Sequence, residues 1–498
     1  MQNTNSRMMA LVLLGVILFS TMGRANNINV ANISLTNTEA GCTFVQCDVS
    51  WNNSWKASWT EGETTITNWD AAWVFIKYRV ATNNAPWQHA SLSTSPSDHI
   101  VPVGASLAVG LTGSKGTGVF IYRSSEGSGS WTNTVKLKWN YAQDGVSRPV
   151  PVDVQVFAIE MVYVPKGPFY LGSGGTEPGR LFEGGGGNTP FLVSNAGPIN
   201  CANTSGALWG ASQTGDNSMG GAGTIAAAFP NGYDSFYCMK YEISQGQWVA
   251  FFNTLTASQK TTLDITSGSA GGKNNDSEVN RNTVSWTNTA VAATCTAPER
   301  ACNYLYWADG TAYADWAGLR PMTELEFVKA CRGPLMAVTD EYAWGTSEIV
   351  QITGFSGTDG SGTETALPAN ANSISGNGSV KGPMRCGIYA TAVSSRTASG
   401  ATYWGIMEMS GNLTELPVTI GRSEGRAFTG AVGDGVLSSD GRANELTWPA
   451  ANAIGAGFLG GNWLDAATYL RVSDRTFAAR TQSTRYSNIG FRAVRPAP

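Results

Sequence analysis

Two histidines, His89 and His99, are the only imidazoles in the 498-residue chain. A three-histidine zinc or iron site cannot be built from them, and a histidine-dependent nucleophile would have to use one of these positions. Both are expected to be polar surface residues. Eight cysteines stand at 42, 47, 201, 238, 295, 302, 331 and 386. None share a Cys-x-x-Cys spacing, so a zinc knuckle or thioredoxin-type site has no support. They suit disulfides formed outside the cytosol or buried thiols, and are too sparse to be the main staple. Glu324 and Glu326 are not an acid–base pair. Thr323 with Glu326 forms a capping box, and solvent accounts for Glu324. The Gly-rich stretches 172–188 and 268–272 lack the Gly-Lys-Ser/Thr ending of a phosphate loop. They read as flexible surface insertions, near 172–230 and 265–285.

Composition narrows the classes further. Hydrophobic residues make up 42% of the chain, which excludes wholesale disorder. Charged residues are only 14%, with a net charge of -4, so no electrostatic case for nucleic acid exists. The length predicts more than one domain. Residues 1–25 read as a signal peptide: Arg7, then a nearly continuous apolar run from Met8 to Met22, then small Gly23 and Ala25. The run is short for a membrane span, and no cysteine follows it as in a lipoprotein. The mature chain is therefore expected to have no transmembrane segment, and to be secreted, periplasmic or cell-surface.

Two units must position any site. Residues 27–158 read as a β-sandwich, with strand-like runs at 43–51, 72–80, 118–123, 134–139 and 150–156. Their spacing predicts an immunoglobulin-like all-β sandwich, joined by a short connection at Phe157 to Glu160 to a second unit, 159–498. There, Ser244 with Gln247 predicts a helix that places Trp248, Phe251, Phe252 and Leu255 on one stripe. A second helix follows Thr323.

The second unit carries an ordered series of motifs. Met161-Val-Tyr-Val-Pro165 opens it, and Tyr241-Glu-Ile-Ser-Gln-Gly-Gln-Trp248 follows. Then come Gly318-Leu-Arg-Pro-Met-Thr-Glu-Leu-Glu-Phe327, Tyr342-Ala-Trp-Gly345, Gly405-Ile-Met-Glu-Met-Ser-Gly-Asn412, Gly460-Gly-Asn-Trp463 and Asn488-Ile-Gly-Phe-Arg492. This series resembles the formylglycine-generating enzyme (sulfatase-modifying factor) family over about 160–496. The resemblance implies an α+β, C-type-lectin-like fold, and fold alone does not carry activity. The copper-dependent members hold their metal with two cysteines after the Gly-Gly motif. Here those positions are Asp465 and Leu470, neither a thiolate. The iron-dependent branch needs histidines, and residues 160–498 have none. No copper or iron is expected. Cys331 matches a family cysteine, but its partner position near 475 is not cysteine. A structural Ca2+ site in the family maps to Glu408, Gly411, Leu413 and Glu415, an oxygen-rich set on a tight turn. A second family site would start near Asn372, without an evident acidic partner.

The C-terminal segment 460–492 alternates framework residues with unpatterned ones. It resembles the variable region of retroelement-diversified proteins of this fold. Asn462, Trp463, Leu464, Asp465, Ala467, Tyr469, Thr476, Phe477, Arg480, Gln482, Arg485 and Tyr486 make up the expected ligand-binding face. Aromatic anchors beside Arg, Asp and Gln are paratope composition. The reading is a non-catalytic protein presenting this face to an extracellular protein or glycan. The alternatives are an oxidase or other family enzyme with a relocated cysteine, Cys302 or Cys386, and a self-associating surface component.

Overall fold

The computed structural model describes residues 27–498 except 82–84, 149, 289–290 and 392–393. The expected signal segment, 1–25, lies outside the described residues. The N-terminal unit is strand-rich and mostly antiparallel. Its strands are β1 (Asn29–Thr36), β2 (Thr43–Glu61), β3 (Thr64–Val80), β4 (Gln88–His89), β5 (Ala105–Thr112), β6 (Lys115–Arg123), β7 (Gly127–Trp139) and β8 (Val152–Val164). β2 pairs with β1 and β7, while β3 pairs with β6 and β8. Alternate side chains of β2 (Val45, Cys47, Val49), β3 (Ala72, Val74, Ile76), β6 (Val119, Ile121) and β7 (Val135, Leu137) close on one core. The period-two spacing of these residues produces that face.

The opposite face of β3 is equally apolar. Ala71, Trp73 and Phe75 pack into the core of the C-terminal unit, with Phe157, Tyr313 and Trp316. A strand buried on both faces reads as a continuous apolar run, and residues 71–76 are such a run.

The C-terminal unit grows from the same sheet. β8 runs unbroken through the expected 158/159 boundary. Its first part pairs with β3, and its last residues also pair with a later strand at 236–239. Six short strands come before that one: β9 (Phe169–Leu171), β10 (Leu181–Glu183), β11 (Phe191–Val193), β12 (Ile199–Cys201), β13 (Leu208–Gly210) and β14 (Gly223–Ile225). β10, β13, β12 and β14 form a small sheet. Leu181, Ile199, Leu208, Met219 and Ile225 from this Gly-rich region belong to the main core, so it is built into the unit.

The strand at 236–239 is β15 (Phe236–Met239). Helices α1 (Gln245–Phe252), α2 (Ala257–Leu263) and α3 (Trp307–Trp316) follow, then β16 (Arg320–Pro321) and α4 (Glu324–Arg332). A hairpin, β17 (Gly354–Ser356) with β18 (Thr365–Leu367), precedes the last strand, β19 (Ala493–Pro496), which lies between β15 and β16. Both expected capping boxes are present, at Ser244 with Gln247 and at Thr323 with Glu326.

Polar contacts fasten the units from the end of β2 along β3. Trp59 Nε1 donates to Tyr403 Oη (2.9 Å), Trp73 Nε1 to the Ala317 carbonyl (2.8 Å) and Lys77 Nζ to the Gly435 carbonyl (2.7 Å). Between them Lys240 and Glu160 form a buried ion pair at 2.6 Å. Burial and the Lys77 charge hold His89 well below the usual imidazole range.

Both histidines depart from expectation. His99 is buried; its Nδ1 accepts from the Lys138 amide and its Nε2 lies 2.9 Å from the Ser93 carbonyl. His89 is half-buried, with Nε2 2.5 Å from the Thr117 carbonyl. Strand backbones offer these rings partners that solvent would otherwise supply. Glu324 is also buried, not solvated: its carboxylate accepts from Arg475 Nε (2.7 Å), Thr419 Oγ1 (2.9 Å) and the Ile420 amide (2.6 Å). All eight cysteines stand as free thiols. No helix among the described residues is long and apolar enough to cross a membrane.

Candidate ligand-binding site

The segment after Gly461 is shaped by one amide. Asn462 is 2% exposed; its Nδ2 donates to Thr414 Oγ1 (2.8 Å) and Asp465 Oδ2 (2.6 Å). Its Oδ1 accepts from the amides of Leu464 (2.9 Å) and Asp465 (3.2 Å). An asparagine side chain that bonds the backbone two residues on makes such a turn, and it fixes Asp465. Gly460 and Gly461 precede it with φ of 81° and 61°, the left-handed region that favours glycine.

A 3-10 turn, Ala467–Leu470, then sends Leu470 inward against Tyr342 and Trp344. Tyr469 stays half-buried and stacks on Phe477, centroids 5.6 Å apart and planes 25° from parallel. The Arg480 guanidinium lies over Phe477 (5.1 Å) and Phe458 (6.0 Å). Arg475 holds the segment from beneath. It pairs with Glu324 and donates to the carbonyls of Gly179 (2.8 Å) and Ser218 (3.1 Å). The Gly-rich region thus supports the site.

These parts line an open cavity of about 70 Å³. Asn462, Asp465, Tyr469, Phe477 and Arg480, all expected in the binding face, line it. Thr414, Phe458, Leu459, Gly461, Asp474 and Asn488 complete the wall. Sequence reasoning missed these. Thr414, Phe458 and Leu459 lie outside the 460–492 segment, and Asp474 is masked by its neighbour, framework Arg475. Burial and the charge of Asp474 push the Asp465 carboxyl up to about 6, partly opposed by Arg480. Burial also raises Asp474.

The remaining face residues divide. Leu464 and Tyr486 are exposed, at 36% and 50%. Ala467, Thr476 and Gln482 are half-buried and do not line the cavity. Trp463 is framework: it is buried, and its Nε1 donates to the Ser487 carbonyl (2.9 Å). Arg485 is also framework. It is 1% exposed, and it holds both oxygens of Asp309 at 2.7 Å. Its expected place on the binding face is corrected by that pairing.

Glu408, Gly411, Leu413 and Glu415 lie on one buried turn. Glu242 braces it, accepting from the Leu413 amide (2.9 Å) and from Asn412 Nδ2. Glu415 pairs with Arg492, and Glu408 Oε1 accepts from the Gly387 amide (2.8 Å). Among the described residues, Glu408 Oε2 and Glu415 Oε2 are buried with no hydrogen-bond partner. Burial is the main cause that raises Glu242, Glu415 and Glu408, the last to about 7. Among the described residues no three His, Cys, Asp or Glu side chains converge as a ready ligand set, so carbonyls would have to complete this site.

Copper fits less well. Asp465 offers a hard carboxylate and Leu470 no donor at the positions where the family resemblance calls for thiolates. Cys302 and Cys386 are buried, at 0% and 1% exposure, and burial pushes both thiols well up. The reactive thiolate is therefore disfavoured in both.

A family model described as a sulfatase-modifying factor enzyme 1-like domain matches residues 147–497. No curated protein matches the chain.

Proposed function

The chain belongs to the sulfatase-modifying factor enzyme 1-like domain family, and from that premise we propose that it is an exported, non-catalytic ligand-binding protein. Its C-terminal loops and cavity take a protein or glycan. One observation carries the reading: the cavity wall holds Asp465, at one of the two positions where a copper oxidase of this family would need a thiolate, beside Tyr469, Phe477 and Arg480. Aromatic rings beside polar side chains on a rigid frame give recognition without a reacting group. Exposed Leu464 and Tyr486 extend the face beyond the cavity. The mixed residue types along 460–492 support a diversified face. The N-terminal unit, an immunoglobulin-like sandwich with a C-type-lectin-like partner in this reading, holds that face away from the exporting membrane.

The test has two arms. Copper-loaded chain incubated with a sulfatase cysteine peptide is expected to form no aldehyde; catalytic formation would overturn the reading and favour the enzyme alternative. On glycan and protein arrays, a Tyr469→Ser, Phe477→Ser variant is expected to lose the spots that the unaltered chain retains.

Calcium enters the reading as a structural ion. Glu408 and Glu415, with the carbonyls of Gly411 and Leu413, would hold it, neutralising carboxylates that burial leaves costly. Adding Ca2+ to chelator-treated chain is expected to raise the melting temperature by about 2–8 °C, as ligand linkage predicts. Glu408→Gln should abolish most of that rise, and a melting curve indifferent to Ca2+ would remove the ion from the account.

A further inference from the structure

The chemistry of the cavity wall points to one class of ligand, and this inference rests on the binding-face reading above. We propose that the cavity takes a cationic group, the ammonium or guanidinium of a Lys or Arg side chain exposed on a protein partner.

Two carboxylates carry the argument. Asp465 and Asp474 both line the cavity, and each has one oxygen committed locally. Asp465 Oδ2 accepts from Asn462 Nδ2 (2.6 Å), and Asp474 Oδ1 accepts from the Thr476 amide (3.0 Å). The other Asp465 oxygen accepts no hydrogen bond among the described residues, the Thr476 hydroxyl is the further neighbour of Asp474, and neither residue forms an ion pair there. The nearby bases are already taken. Arg471 pairs with Asp340 at 2.9 Å, and Arg475 pairs with Glu324 at 2.7 Å. Arg480 spreads over Phe477 and Phe458 instead of meeting a carboxylate. The wall therefore has two acids against one base, and it adds the rings of Phe458, Tyr469 and Phe477. Unpaired carboxylates in an aromatic-walled cavity favour a cation shed of part of its water.

The other classes fit less well. An anion would meet both carboxylates. A neutral sugar is read by protein amides that both donate and accept; the Asn462 amide is consumed on both sides by Thr414, Asp465 and Leu464, which leaves Asn488 alone for that part. A purely apolar group would leave the buried Asp474 and half-buried Asp465 carboxylates without partners.

Protonation adds a signature. Asp465 faces Asp474 and Arg480, and Asp474 faces Glu177 and Arg471. Burial and Asp474 hold the Asp465 carboxyl up at about 6. The ionised form binds the cation, so affinity is full above that value and falls as pH drops through it.

Saturation-transfer NMR on the full chain tests this with small probes: the Nα-acetyl methylamides of lysine, arginine and norleucine, methyl glycosides, and succinate. The lysine and arginine probes are expected to bind, with norleucine at least about tenfold weaker. The isosteric D465N/D474N variant should bind them about tenfold more weakly with its melting curve intact. Between about pH 7.5 and about pH 5 the unaltered chain should lose about fivefold in affinity. Norleucine binding as well as lysine, or glycosides or succinate binding in place of the cations, overturns the proposal and leaves the binding face standing. Silence from every probe overturns the proposal. It also counts against the binding face if the array spots of the unaltered chain survive in the Tyr469→Ser, Phe477→Ser variant.

Discussion

Arg485→Ala is expected to lower the unfolding free energy by about 3–5 kcal/mol, because it strands a buried carboxylate. Arg485 lies against the first turn of α3, where Asp309 is fully buried. Its guanidinium meets both oxygens of Asp309 and also donates to the carbonyls of Thr262 (3.0 Å), Asp264 (3.0 Å) and Ser269 (3.2 Å). The side chain thus ties α2, the loop after it and α3 to the C-terminal segment. Removing it leaves three carbonyls and one carboxylate without their donor. Urea denaturation measures the loss, and a change below about 1 kcal/mol would sink this account. Asp465→Asn should behave oppositely. The folded state raises the Asp465 carboxyl to about 6, so ionised Asp465 destabilises the chain above that pH. Stability from its protonated form is present at low pH and lost as pH rises through about 6. A neutral amide there is expected to leave stability near pH 7 unchanged or raised, and to affect binding alone.

Cutting the chain between Ala158 and Ile159 is expected to abolish folding of the C-terminal unit. β8 supplies its Met161–Val164 edge to β15, and that edge also pairs with β3 at Asp70 and Ala71. Without residues 27–158, the rings of Trp316 and Tyr237 lose Phe75, Phe157 and Phe120, which lie 5.0, 4.8 and 3.8 Å away by centroid. The fragment would expose that apolar face together with an unpaired strand edge, the combination that drives aggregation. Gel filtration and near-ultraviolet circular dichroism of a 159–498 fragment check this. A monomer with a cooperative melting transition would show that the units fold separately. The full chain, by the same reasoning, should unfold in one transition.

The two expected results differ in how far apart along the chain their causes lie, and that distance governs what is legible in the residues. Local signals read well. The capping boxes at Ser244 and Thr323 lie within four residues, and α1 and α4 start where they predict. The strand-like runs at 43–51 and 134–139 do give paired strands sharing a core. The apolar run 71–76 suits a strand covered on both sides, but its length and position suit an ordinary sandwich strand as well. That double cover is why the 158/159 boundary falls inside β8. Long charged side chains read poorly. Arg485 and Glu324 have partners 176 and 151 residues away, and no local pattern records such pairings. Asp465, Tyr469, Phe477 and Arg480 were legible because the cavity is walled largely by one stretch of chain. Phe458 and Thr414 enter it from outside that stretch.

The shared strand also has a mechanical meaning. A hinge between two lobes lets a bound partner swing, and tension then reaches the tether before it reaches the fold. Here β8 is one backbone clamped on both sides, by the β3 ladder from Val152 to Val162 and by β15 from Met161 to Val164. A pull on the C-terminal loops with residue 27 held would load those ladders directly, with no slack linker to stretch first. Force on those loops would thus meet the stiffness of the sheet itself.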